Sequence, residues 1–230
     1  MTLYDRYYVG YAPHPNSKLW KFTAAWLGYD CARDSTPKTV LTLGLPKKIH
    51  QEAVSSALRI GFSCIFYPPF KLRNEVDIKE LVLHSQTFCH TLSPVKTGAL
   101  KVQSNGGQII IAPISTDQKV INLASECVLF YDNFRLKDPP IPINNQLHKA
   151  LSQRQRDYLV KWGNPYVFEE FSFSMPLTGR IAKTISDPLT EYLQNQLIHY
   201  LSHGLTVDGL YLFGQKAGSE PARLLNYFPF

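Results

Sequence analysis

Gly61-Phe62-Ser63-Cys64-Ile65-Phe66-Tyr67-Pro68-Pro69-Phe70 reads as a β-strand entered directly from a helix. Upstream, Ile49, Ala53, Ala57 and Ile60 recur at helical spacing over Lys47 to Arg59, and Gly61 stops the pattern. Alternation along the strand puts Ser63 and Ile65 on one face, with Phe62, Cys64 and Phe66 on the other. A second stretch, Glu170-Phe171-Ser172-Phe173-Ser174-Met175-Pro176-Leu177-Thr178-Gly179, sorts more clearly. Phe171, Phe173, Met175 and Leu177 form an apolar face, and Ser172, Ser174, Pro176 and Thr178 face the opposite way. Ser63 and Ser174 are separated by close to half of the 230 residues.

Working outward, Arg6 to Ala12 reads as a strand ending at Pro13 and Pro15, followed by a helix over Leu19 to Leu27. Asn74, with Asp77 three residues on, marks the start of a helix through Ile78, Leu81, Val82 and Cys89. Ser104-Asn105-Gly106-Gly107 suits a hairpin loop between strands over 95–103 and 108–114. Ser115 with Gln118 and Ser152 with Gln155 are capping-box patterns, each opening a helix. The second motif strand is expected from about Tyr166 to Leu177. A helix follows from Ser186-Asp187-Pro188 to Gly204, then paired strands over 205–215 and 222–230. Each half thus offers a motif strand, a helix and paired strands in the same order. The proline-rich 138–143 is the best linker, separating a first lobe, 1–137, from a second, 144–230.

Long stretches of the chain resemble the two-histidine (2H) phosphoesterase superfamily, and most closely a bacterial branch associated by name with phosphonate metabolism. The resemblance is carried by Arg6-Tyr7-Tyr8-Val9-Gly10-Tyr11-Ala12-Pro13, by Leu19-Trp20-Lys21-Phe22 with Ala25-Trp26-Leu27-Gly28, and by Trp162 through Phe171. It implies an α+β, bilobal, duplicated fold, with antiparallel sheets lining a central cleft and helices outside. Where the family pattern is His-Ala-Thr-Leu this chain has Ser63-Cys64-Ile65-Phe66, and where it is His-Met-Thr-Leu the chain has Ser174-Met175-Pro176-Leu177. In the intact family two imidazoles exchange protons with a phosphodiester while adjacent hydroxyls hold its oxygens.

Serine does not titrate near neutral pH, so acid–base catalysis by these strands is lost. Ile65 and Pro176 remove the two holding hydroxyls, and Pro176 a backbone donor as well. The reading leans away from an enzyme and toward a degenerate member that binds a small phosphorylated or nucleotide-like ligand, or a protein partner. The cleft residues expected to contact it are Ser63, Ser172, Ser174, Thr178, Tyr67, Arg6 and His14. Two other readings stay open: a cyclic phosphodiesterase of phosphonate metabolism using other residues, His14 foremost, and an RNA-binding module.

The composition fits a globular protein, with 44% hydrophobic residues and a net charge of +6 that favours an anionic partner. No apolar run approaches the roughly 20 residues of a membrane span, and the N-terminus lacks a signal-peptide core, so a cytoplasmic protein with no membrane partner is expected. Cys31, Cys64, Cys89 and Cys127 are scattered, which predicts reduced, buried thiols. No cofactor or metal is indicated: His199 and His203 are i, i+4 on a helix, but no third ligand accompanies them. Glu169 and Glu170, as strand neighbours, point apart, and one is expected to pair with Arg6 or Arg180. Trp20, Trp26 and Trp162 lie on amphipathic helices and are read as core.

Overall fold

The computed structural model describes residues 4–115, 117–137, 150–216 and 220–230. The proline-rich 138–143 lies outside the described residues. Strand β1 (Arg6–Tyr11) leads into α1 (Lys18–Leu27), which Ser17 caps by accepting from the Trp20 N–H at 3.1 Å. Helix α2 (Lys47–Ile60) ends at Gly61, as its periodicity predicts. Its buried stripe is His50, Ala53, Val54 and Ala57, whereas Ile49 is 37% exposed. Strand β2 (Cys64–Phe70) follows.

The N-cap of helix α3 (Ile78–Cys89) is Asp77, three residues beyond the expected Asn74, and its carboxylate accepts from the Glu80 N–H at 2.8 Å. Next come β3 (Val95–Lys96), β4 (Leu100–Asn105) and β5 (Gln108–Pro113). Asn105 pairs with Gln108, so Gly106 and Gly107 form a two-residue loop with φ of 57° and 83°, a conformation glycine adopts freely. Helix α4 (Gln118–Tyr131) is capped by Asp117 rather than Ser115. Helix α5 (Gln153–Trp162) has the predicted capping box, Ser152 and Gln155 bonding reciprocally.

The second motif strand, β6 (Met175–Arg180), begins later than expected, since Phe168–Glu170 is a 3₁₀ turn. Helix α6 (Lys183–Leu201) starts one turn before Ser186-Asp187-Pro188. Pro188 near the helix start forgoes a single backbone bond there, which the first turns tolerate better than the interior. Strands β7 (Thr206–Val207), β8 (Gly209–Gln215) and β9 (Arg223–Pro229) complete an α+β fold.

Among the described residues the strands form three antiparallel sheets with orders β2-β1-β8-β9, β4-β5-β6 and β3-β7. Each therefore draws strands from both sides of the proline-rich stretch. A large core joins Phe62, Cys64, Phe66 and Leu212 to Ile109, Met175, Leu193 and Leu197. On the opposite face of the four-stranded sheet, Tyr8, Tyr211 and Phe213 pack under Trp20 and Ala24 of α1. Trp26, also buried, donates its indole N–H to the Leu177 carbonyl at 2.8 Å and so ties α1 to β6. Trp20 is likewise buried, and Trp162 is half-buried against Phe168.

Candidate functional site

From Phe62 to Phe66 and from Phe171 to Leu177, the faces of the two motif segments sort as alternation predicts. Cys64 and Phe66 enter the main core, while Ile65 turns to the cluster around Tyr8 and Phe213. Phe171, Phe173, Met175 and Leu177 are all buried in the main core. Ser63 has 0% exposure, and its Oγ has no hydrogen-bond partner. It lies close enough to the Tyr8 hydroxyl to affect its ionisation, but that hydroxyl donates to the Ile60 carbonyl instead. Tyr8 itself stacks on Phe213 with ring centroids 4.5 Å apart. Around Ser63, then, the strand face is filled by aromatic packing.

Ser174 and Pro176 are half-buried, and Ser172 is exposed. The backbone of Ser174 reaches the thiol of Cys64, so the two motif strands do come together. Thr178 does not serve as a free hydroxyl. It is fully buried, accepts from the Ile109 N–H at 2.9 Å and donates to the Gly179 carbonyl at 2.8 Å.

Tyr67 sits on the core side, although simple alternation would place it with Ser63 and Ile65. Gly10 pairs with Ile65 but Val9 pairs with Tyr67, so β2 advances two residues where β1 advances one. That bulge breaks the alternation and swings Tyr67 inward. There its hydroxyl donates to Asp132 Oδ1 at 3.1 Å, beside an Arg135–Asp132 ion pair of 2.8 Å. Arg6 is exposed at the start of β1, 3.7 Å from Asp5. His14 is exposed in the turn before α1, its Nδ1 accepting from the Asn16 N–H at 3.2 Å.

Glu170 is gripped by Arg154 at 2.6 Å and by Gln155 at 2.8 Å, not by Arg6 or Arg180. These bonds hold its carboxyl below the usual range. Glu169 accepts from the Tyr158 hydroxyl at 2.7 Å. Both carboxylates fasten the 3₁₀ turn to α5, and in such a turn the strand rule of opposite faces does not apply. His199 and His203 are exposed, and no group of three metal-ligating side chains occurs among the described residues.

A feature without a sequence motif lies elsewhere. Between α2, the end of α1 and residues 36–42 is a cleft of about 900 Å³. Leu27, Val40, Val54 and Leu58 supply aliphatic walls, while Thr36, Thr42, Gln51 and Ser55 supply polar ones. Lys47 and Arg59 line it near the two ends of α2. His50, 2% exposed, lies edge-on to Trp26 with centroids 4.6 Å apart, and its Nε2 has no partner. Burial lowers its affinity for a proton, and the nearby Trp26 backbone offsets part of that. The only sequence signal for this cleft was a histidine inside an otherwise aliphatic helical stripe.

Among the described residues, no helix is long and apolar enough to cross a membrane. The chain is 23% identical over 182 residues to "Ribose 1,5-bisphosphate phosphokinase PhnN" of Janthinobacterium sp. (strain Marseille), covering 79% of this chain and 40% of the relative. It is 27% identical over 230 residues to the protein of the same name from Laribacter hongkongensis (strain HLHK9), covering 95% of this chain and 50% of that relative. The chain therefore spans half or less of the length of these curated relatives. No solved structure matches it. A family model described as "Protein of unknown function (DUF1045)" matches residues 65–223, more than two thirds of the sequence, and the chain belongs to that family.

Proposed function

We propose that this protein is a degenerate two-histidine phosphoesterase-like module that acts in phosphonate metabolism by binding a small phosphorylated ligand without cleaving it. The observation that carries the reading is Ser63: it stands at a catalytic-histidine position of the resembled family, fully buried beside Tyr8 and without a partner. None of Ser63, Ile65, Ser174 and Pro176 titrates near neutral pH. A buried hydroxyl with no base beside it neither abstracts a proton nor contacts a substrate. Both motif segments lie side by side, which supports a scaffold that outlasts the chemistry.

Duplication is supported by the order of elements. The series β2-α3-β3-β4-β5 recurs as β6-α6-β7-β8-β9, with β3 and β7 paired to each other. The curated relatives carry the name of a ribose bisphosphate phosphokinase, which supports a phosphorylated sugar or nucleotide as the ligand class. The phosphoryl transfer in that name is not assigned to this chain, whose sequence holds no Gly-x-x-x-x-Gly-Lys-Ser/Thr phosphate loop. A net charge of +6 favours an anionic ligand.

The test is turnover. Purified protein incubated overnight with 2′,3′-cyclic AMP and with ribose 1,2-cyclic phosphate is expected to leave both intact. Sustained hydrolysis that disappears in the Ser174→Ala variant would overturn the reading.

A further inference from the structure

The cleft on α2 lies apart from the motif serines, and its construction points to a ligand of its own. A volume of about 900 Å³ falls in the range of small-molecule sites and far exceeds what a bare anion needs. Lys47 and Arg59 both line it, and neither is ion-paired among the described residues. Lys47 is the first residue of α2, whose N-cap, Pro46, makes no side-chain hydrogen bond. The first-turn N–H groups are therefore uncapped by a side chain, at the positive end of the helix dipole. One turn further, His50 forms the floor with an Nε2 that nothing satisfies, which is uncommon for a buried polar atom.

We infer that this cleft binds a nucleoside monophosphate, with the phosphate at the N-terminus of α2 beside Lys47 and the base against Leu27, Val40, Val54 and Leu58. The order along the helix matches the order of the ligand's parts. His50 stands three residues from Lys47, roughly 4.5 Å along the axis, where the sugar follows the phosphate. Burial disfavours the charged form of its ring, and Nε2, which has no partner, is left to hydrogen-bond a sugar hydroxyl. Because Nε2 is closed to solvent in the free chain, this bond requires the ring to turn toward the cleft. A fatty acid would match the cations and aliphatic walls but not the interleaved Thr36, Thr42, Gln51 and Ser55.

This inference does not depend on the motif serines, and its test leaves their chemistry aside. Isothermal titration with AMP, adenosine, inorganic phosphate and decanoate is run on the wild type and on two surface variants. Lys47→Ala removes the cation and Ser55→Trp fills the cleft from an exposed position; far-UV circular dichroism and Tm confirm that both fold. AMP is expected to bind more tightly than adenosine or phosphate alone, and roughly tenfold more weakly to either variant. The His50 ring resonances are expected to shift with AMP in the wild type. The site is overturned if millimolar AMP does not bind, if both variants bind it as well as the wild type, or if decanoate binds and AMP does not.

Discussion

The thiol of Cys64 lies near the backbone of Ser174, which brings the two serine-bearing strands together inside the protein. Burial pushes this thiol up to about 12, so it stays protonated and the contact is structural. The two serines that flank it nevertheless differ in setting, one enclosed and one half open.

That difference predicts an asymmetry when imidazoles are put in their place. Ser63 is fully buried, so Ser63→His forces a larger, ionisable ring into a filled space and is expected to cost about 1–3 kcal/mol. Ser174 is half-buried, and Ser174→His is expected to cost under about 1 kcal/mol. At about 2–4 °C per kcal/mol for a chain of this size, differential scanning fluorimetry separates the two. Equal losses would mean that the surroundings of Ser63 are not full.

Asp132 is the hub of a buried polar group, accepting from Tyr67 and paired with Arg135. Asp132→Ala strands both partners, and a loss of roughly 3 kcal/mol in urea unfolding is expected. Tyr67→Phe removes only one hydrogen bond and should cost about 1 kcal/mol. If Asp132→Ala proves no worse than Tyr67→Phe, the hub is not a unit.

His50 makes stability depend on pH. Burial lowers its pKa below the ordinary 6.5, so on acidification the unfolded chain takes up a proton before the folded one does. Its stabilising contribution is whole above pH 6.5 and is lost progressively below that, until the folded ring is protonated too. His50→Phe is expected to flatten that part of the Tm profile between about pH 7 and 5. Parallel profiles for the two proteins would remove His50 as the cause.

All four cysteines are free and buried, and burial pushes Cys31, Cys64 and Cys89 up to about 12 and Cys127 up as well. Ellman's reagent should react slowly with native protein and release four equivalents only after unfolding. A thiol that reacts within seconds under native conditions would contradict this burial.

Local signals were legible wherever the responsible groups are neighbours in sequence. The Gly61 stop, the Ser152–Gln155 capping box and the Gly106-Gly107 loop are each closed by residues within a few positions. Where two local signals competed, spacing did not choose between them. Asp77 rather than Asn74 caps α3, and α6 runs back past Pro188 because backbone geometry there accommodates it.

The sequence by itself determined which faces of the motif strands are apolar, because side-chain alternation is a property of the chain alone. It also determined that no imidazole stands at Ser63 or Ser174. Only the tertiary structure decided that a bulge in β2 sends Tyr67 into the core, since the bulge exists through pairing with β1. The partner of Glu170 and the cleft around His50 were decided in the same way. Arg154 stands sixteen residues from Glu170, and the cleft walls come from α1, the 36–42 segment and α2. Such contacts arise when separate elements are packed together, and no periodicity or local spacing encodes them.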